Sequence, residues 1–235
     1  MMLSIVIPTL NEEKYLPNLL SDLRRQTYKD FEIIVSDARS NDNTAKIARK
    51  YGCRVVFSKR KCPARGRNVG AKVARGKYLL FLDADVRIPD RDSLKILMDE
   101  VKRKNIKLAT FYFRPYDGNR LDILVSKILV LSLKIISLFE PFSPGFCTLI
   151  SKDIHEKIGG YNEDLFMAED HDYVKRASKF TKFFVLSKPH ILYSLRRLKH
   201  EGRLKLYLKY IFVTLYRALN GEITKKMFDY KFGGY

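Results

Sequence analysis

Two carboxylates one residue apart, Asp83 and Asp85, follow the apolar run Tyr78 to Leu82. An Asp-x-Asp at the end of a strand can share one divalent cation together with the oxygens of a diphosphate, and hard oxygen ligands suit Mg²⁺ or Mn²⁺. The same pair could equally be a solvated turn that caps the next helix. A second acidic pair, Glu169-Asp170, opens a segment that reads as a helix through Arg176. The N-terminus of a helix favours a negative charge, a setting that suits a general base. Arg65, Arg67 and the pair Arg196-Arg197 supply guanidinium groups. His155, His171, His190 and His200 make no metal-spaced pair. Cys53, Cys62 and Cys147 are an odd count without C-x-x-C spacing, which argues against a disulfide framework and a cysteine zinc site and for a reducing compartment.

The elements that must position these groups alternate. Leu3 to Ile7, Phe31 to Ser36, Cys53 to Phe57 and Tyr78 to Leu82 are short β-branched or aromatic runs, and helix-period segments lie between them at Glu12 to Gln26, Asn41 to Tyr51 and Arg65 to Ala74. A βαβαβαβ order makes a parallel sheet with right-handed crossovers, and ligands then sit beyond the carboxyl ends of the strands. Pro8, Thr9 and Asn11 after the first strand, Asp37 after the second, and Asp83 and Asp85 after the fourth therefore become candidates. Further on, the pattern predicts a helix from Asp90 to Lys104, a strand from Leu108 to Phe113, an apolar helix from Leu121 to Phe139, a strand from Gly145 to Ile150 and a short helix from Lys152 to Ile158 ending at Gly159-Gly160. No linker or repeat interrupts the run, so one domain is expected over residues 1–200, followed by a basic amphipathic helix and tail over 201–235.

The 235 residues carry 45 Lys and Arg against 26 Asp and Glu, a net charge of +19, with 46% hydrophobic residues. Such a composition is that of a folded chain and excludes collagen-like and disordered classes. The N-terminus lacks the basic and long apolar regions of a signal peptide, and the two most apolar windows are broken by Lys127, Lys134, Lys205, Lys209 and Arg217. A cytoplasmic protein is expected, either free or peripheral on the inner face of the cell membrane. The charge fits nucleic acid, an anionic membrane surface or anionic small substrates. Its even spread, with no zinc-finger or RRM signature, disfavours nucleic acid.

Four ordered blocks, SIVIPTLNEE, SDARSNDNTA, PARGRNVGAKVARGKYLLFLDADV and IGGYNEDLFMAEDHDYVKRA, resemble the family 2 glycosyltransferases of the GT-A fold over about residues 2 to 200. The resemblance implies a Rossmann-like, mostly parallel α/β sheet flanked by helices that binds a nucleotide-diphosphate sugar, such as a UDP- or GDP-sugar. It places Pro8 and Thr9 on the nucleotide pocket, Asn11 and Glu12 near ribose or base, and Asp37 against an N–H of the base. Arg67 falls beside the diphosphate, Asp83 on ribose and metal, and Asp85 on Mn²⁺ or Mg²⁺. By the same match Asp170 is the catalytic base with Glu169 as its neighbour, and Arg197 belongs to a basic segment closing over the diphosphate. Arg87 stands where polyprenol-phosphate mannose synthases usually carry Gln, and Ala38-Arg39 replaces a usual Gly or Asp-Gly.

The implied reaction is inverting transfer of one sugar to an acceptor, with a lipid-linked or polyprenyl-phosphate acceptor suggested by the charge and the apolar helices. In the last helix Leu204, Leu208, Ile211, Leu215 and Leu219 make one apolar stripe and Leu206, Tyr210 and Val213 a second. Stripes so broad serve a core, a homodimer or contact with anionic lipid. A nucleotidyltransferase would share the strand-end carboxylates but open with a Gly-rich phosphate loop. A non-catalytic basic module binding nucleic acid or a membrane surface would leave Asp83, Asp85 and Asp170 as coincidences.

Overall fold

The computed structural model describes residues 2–59, 62–137, 139–225 and 227, with the backbone alone at 204 and 218. The chain runs β1 (Leu3–Thr9), α1 (Leu16–Arg24), β2 (Phe31–Asp37), α2 (Thr44–Lys50), β3 (Arg54–Phe57), α3 (Pro63–Lys72), β4 (Tyr78–Leu82), α4 (Ser93–Lys104) and β5 (Leu108–Pro115). It continues through α5 (Arg120–Ile136), β6 (Cys147–Ser151), α6 (Lys152–Lys157), α7 (Glu169–Ser178), β7 (Phe183–Tyr193), α8 (Arg196–Glu201) and α9 (Arg203–Asn220). One sheet holds all seven strands in the order β3-β2-β1-β4-β6-β5-β7. Every pairing is parallel except the two made by β6, which runs antiparallel between β4 and β5. The mostly parallel α/β sheet expected from the alternation is therefore the fold.

Alternation along β1 divides its side chains between two cores. Leu3, Ile5 and Ile7 pack with Leu16, Leu19 and Leu23 of α1 and Leu94 and Leu97 of α4. Val6 faces the other way, toward Ala64 and Ala71 of α3 and Tyr173 and Val174 of α7. Two glycines let α3 lie directly on the sheet: a Cβ on Gly66 would come within 2.9 Å of Pro8 Cβ, and one on Gly70 would overlap Val6 Cγ1. Arg67, between them, is carried under the strand ends by that close approach.

Element boundaries differ from the sequence reading in ways that matter for the site. The first helix begins at Leu16, not Glu12, because Asn11 adopts a left-handed conformation (φ 55°) and the Glu12 carbonyl closes a turn onto the Tyr15 and Leu16 amides. Glu12 is thereby left at the strand end rather than on the helix. The second helix starts at Thr44, where the Asp42 carboxylate accepts the Thr44 N–H at 2.9 Å. β7 has no strand signature in the sequence: Pro189 interrupts its apolar pattern, and the pairing with β5 skips from Phe111↔Leu186 to Tyr112↔His190 across a bulge that accommodates it.

The two long apolar helices are one-sidedly buried. In α9, Leu206 and Val213 of the second stripe are buried, Val213 beside Met167 and Ile223, whereas Leu208, Ile211, Leu215 and Leu219 of the first stripe face outward. The side chain of Leu204 and most of the tail beyond 225 lie outside the described residues. Among the described residues no helix is long and apolar enough to cross a membrane.

Candidate active site

The carboxyl ends of β1, β2 and β4 converge, as parallel pairing requires. At the end of β1 the Thr9 hydroxyl donates to Asp37 Oδ1 at 3.1 Å, and both are buried. Asp37 also accepts the Ser40 N–H at 2.9 Å and is bonded to the Ser40 hydroxyl, which in turn accepts the Asn11 N–H at 2.8 Å. Asn11 Oδ1 accepts the Asn41 N–H at 2.9 Å. Asp37 thus ties the loops after β1 and β2 into one rim, with the Pro8 ring against Gly66 of α3 beneath it.

Asp83 and Asp85 sit on a tight turn after β4, in which the Val86 N–H reaches the Asp83 carbonyl. Each is engaged by a different arginine. Arg67, almost wholly buried, donates through Nη2 to Asp83 Oδ1 at 3.1 Å and to the Gly145 carbonyl at 2.8 Å, and through Nη1 to Glu169 Oε1 at 2.7 Å. Its guanidinium also lies 5.2 Å from the Tyr161 ring centroid. Burial opposes the Arg67 charge, but Asp83, the Tyr161 phenol, Glu169 and Asp170 outweigh it and raise its pKa. One guanidinium therefore joins the Asp-x-Asp to the N-terminus of α7, 102 residues away in the chain at Glu169.

Asp170 stands at that helix start. Its Oδ1 accepts the His171 N–H at 3.0 Å, and Gly145 packs so closely that a Cβ there would lie 2.9 Å from Asp170 Oδ2 and 3.3 Å from Arg67 Nη2. His171 packs at a tilt against Phe142, with ring centroids 4.9 Å apart, and its Nδ1 meets Arg217 Nη1 at 2.9 Å. Arg217 comes from α9, so the C-terminal helix reaches the neighbour of Asp170.

Arg196, the partner of Arg197 in the basic pair, takes the central position. Its Nη1 and Nη2 donate to the two Glu12 oxygens at 2.7 Å each, and its Nε lies 2.7 Å from Asp85 Oδ2. It also stacks over Tyr15 at 4.5 Å. Arg197 hydrogen-bonds Tyr210 of α9 and adds its charge to the field at Asp85. Nothing local in the sequence separates the two arginines; the selection comes from Glu12, 184 residues away. Arg87, at the position that departs from the mannose synthase pattern, points away from this cluster and clasps buried Asp22 through Nε at 2.6 Å and Nη2 at 3.0 Å.

Burial disfavours the carboxylate charges of the cluster. Burial pushes the Glu12 carboxyl up to about 7 against the pull of Arg196, and burial together with Asp83 raises Asp85 as well. Arg196 is shared between Glu12 and Asp85, Arg197 adds its charge at Asp85, and Arg67 holds Asp83. Two carboxylates in this condition fit a hard divalent cation that takes its other ligands from phosphate oxygens and water. No cluster of three or more His, Cys, Asp or Glu suited to a metal occurs among the described residues, so such an ion would depend on its substrate to complete the shell.

Two buried groups give opposite pH dependences. Burial, with Arg176 and Lys152 nearby, pushes His155, bonded to the Tyr173 hydroxyl at 2.6 Å, down to about 4 from an ordinary 6.5. The unfolded chain then binds a proton that the native one refuses, so the His155 contribution is full above pH 6.5 and is lost as pH falls through 4. Glu12, raised from 4.5 to about 7, has the reverse sign: its contribution is full below pH 4.5 and is lost as pH rises through 7. Each amounts to about 3 kcal/mol. Urea unfolding should therefore show little net slope from these groups between pH 4.5 and 6.5. Glu12→Gln should make stability climb with pH across that window, and His155→Gln should make it fall; parallel profiles for the two variants would contradict both assignments.

The family model described as Glycosyl transferase family 2 matches residues 4–159. The poly(ribitol-phosphate) beta-N-acetylglucosaminyltransferase TarS of Staphylococcus aureus (strain Mu50) is 28% identical over 165 residues, 66% of this chain and 26% of TarS. The uncharacterized glycosyltransferase MJ1057 of Methanocaldococcus jannaschii is 29% identical over 227 residues, 91% of this chain and 78% of that protein. Among solved structures, S. aureus TarS 1-349 in complex with UDP has a TM-score of 0.69 at 25% identity, covering 83% of this chain and 61% of that one. The mannosyltransferase PcManGT from Pyrobaculum calidifontis in complex with GDP-Man and Mn²⁺ has a TM-score of 0.68 at 19% identity, covering 82% and 56%. The chain thus spans about a quarter of the length of TarS.

Proposed function

The chain belongs to glycosyl transferase family 2, and we propose that it is an inverting enzyme that moves one sugar from a nucleotide-diphosphate donor to an acceptor, with Asp170 as base. The observation that carries this reading is the Arg67 guanidinium, which binds Asp83 on one side and Glu169 on the other and so holds the strand-end carboxylates and the Asp170 helix in one site. The alternatives have less support. No Gly-rich phosphate loop follows β1, as a nucleotidyltransferase would need, and a non-catalytic basic module has no use for buried carboxylates.

In this reading Thr9, Asn11 and Asp37 form the nucleotide rim, with Asp37 oriented by the Thr9 and Ser40 hydroxyls. Asp83 and Asp85 would hold Mn²⁺ or Mg²⁺, which when bound supplies positive charge to the departing diphosphate. The PcManGT complex with GDP-Man and Mn²⁺ and the TarS complex with UDP are consistent with such a donor site. Arg196 would serve the same charge from the protein side: it binds Glu12 and Asp85 and so stands beside the carboxylates assigned to the donor, and Arg197 is its neighbour on the same helix. Asp170, opposite the diphosphate, takes the proton of an acceptor hydroxyl as the new bond forms. For the acceptor we favour a lipid-linked or polyprenyl-phosphate molecule, on the strength of the outward apolar faces of α5 and α9.

Thermal unfolding of the full chain with UDP, GDP or duplex DNA, each with Mn²⁺ or EDTA, tests the reading. Stabilisation by one nucleoside diphosphate that needs Mn²⁺ is expected. Stabilisation by DNA alone, or by nucleotides equally in EDTA, would overturn it; with the expected result, mass spectrometry of products from a nucleotide-sugar panel with lipid extract identifies sugar and acceptor.

A further inference from the structure

The two apolar helices are arranged as a pair around the Asp170 end of the site. Their first turns are joined by an ion pair between Asp122 of α5 and Arg203 of α9 at 2.8 Å. At the far end, Phe142, shortly after α5, packs at a tilt against His171, and Arg217 of α9 hydrogen-bonds the same imidazole. The helices have 17 and 18 residues and so are of nearly equal length.

Each helix turns an apolar stripe outward. On α5 it runs Leu121, Leu124, Ile128, Leu131 and Ile135, at spacings of three and four, while Asp122, Ser126, Val130 and Leu133 face inward. On α9 it runs Leu208, Ile211, Leu215 and Leu219. All nine outward side chains are more than half exposed. Scattered apolar residues on a surface need no explanation, but two ordered stripes beside one site mark an interaction face.

Charge selects the occupant. Lys127 and Lys134 on α5 and Lys205 on α9 are exposed among the stripes, and the one acidic residue of either helix, Asp122, is buried in its pair with Arg203. A symmetric dimer through this face would set cations against cations. An anionic lipid surface complements both the apolar stripes and the lysines, and helices with this pattern lie in the interfacial plane rather than across it. We infer that α5 and α9 together dock the protein on an anionic bilayer, with His171 and Asp170 at the docked edge. The inference rests on the transferase reading only in giving Asp170 an acceptor arriving from the lipid; the docking itself is independent of it.

Flotation of the full chain with liposomes of phosphatidylcholine alone, or mixed with phosphatidylglycerol, tests the docking. The wild type should float with the mixed vesicles, remain unbound to phosphatidylcholine alone and detach progressively with added salt. The α5 triple variant Leu124→Glu, Ile128→Glu and Leu131→Glu should lose binding at least about tenfold with its thermal unfolding unchanged, because these side chains are already in water. If that variant unfolds, Lys127→Glu with Lys134→Glu and Lys205→Glu replaces it with the same expected loss. A wild type that stays unbound to mixed vesicles at low salt overturns the inference, as does one that elutes as a dimer and becomes a monomer in the α5 variant. Flotation needs no donor, so its failure leaves the nucleotide-induced stabilisation intact, and the two readings fail separately.

Discussion

Asp170→Asn should preserve nucleotide-induced stabilisation and slow sugar transfer by about 10²–10⁴-fold, the usual contribution of a positioned general base. The substitution is nearly isosteric. Asn keeps an oxygen to accept the His171 N–H and fits against Gly145, so the start of α7 and the Arg67 contacts to Glu169 and Asp83 should persist. What it removes is proton acceptance. Separating single-turnover transfer from donor binding in titration calorimetry checks the claim, since only the first should change. Undiminished transfer would mean that the acceptor is already an anion, as a lipid phosphate is, or that another group is the base; repeating the assay with a hydroxyl acceptor decides which.

Asp85→Ala should abolish the Mn²⁺-dependent part of donor binding. At a nucleotide concentration a hundredfold above Kd the wild type should gain about 2.7 kcal/mol, a rise of roughly 5–10 °C in Tm for a chain of this size, and the variant should gain almost none. The apo variant should not be crippled. Asp85 is a half-buried carboxylate whose charge is disfavoured, and its removal leaves Arg196 held by both oxygens of Glu12. That separates this variant from a merely unfolded one. An unchanged shift in Asp85→Ala, or in EDTA, would remove the Asp-x-Asp from the donor site.

Local patterns made much of the framework legible. The β1 to β4 runs and the helices between them are periodic over enough residues to identify, and strand ends in a parallel sheet point to Thr9, Asp37, Asp83 and Asp85 without any knowledge of contacts. Two kinds of feature were hidden. β7 carries Pro189 and a bulge, so its pattern breaks at the point where a strand would be recognised. The central ion pairs join residues far apart in sequence, Glu12 to Arg196 and Arg67 to Glu169, and no spacing rule distinguishes Arg196 from Arg197. The start of α1 is hidden for a related reason: acidic residues after Asn11 resemble a helix N-terminus, whereas the left-handed Asn11 and the turn through Tyr15 free Glu12 to reach that distant arginine.

The reversed direction of β6 has a bearing on how such a protein diversifies. Its beginning, rather than its end, lies beside the carboxyl end of β4, with the Asp83 N–H donating to the Phe146 carbonyl at 3.2 Å and Cys147 paired to Leu82. The stretch from 116 to 146, which includes α5, is thereby delivered to the same edge as the strand-end carboxylates while sharing none of the first four strands. Mutation can rewrite that stretch, and with it the proposed acceptor and membrane contacts, while the loops after β1 and β2 that would hold the nucleotide stay under separate selection. Gly145 is the exception. It touches both Arg67 and Asp170, so a lineage that redesigns this arm must conserve its last turn.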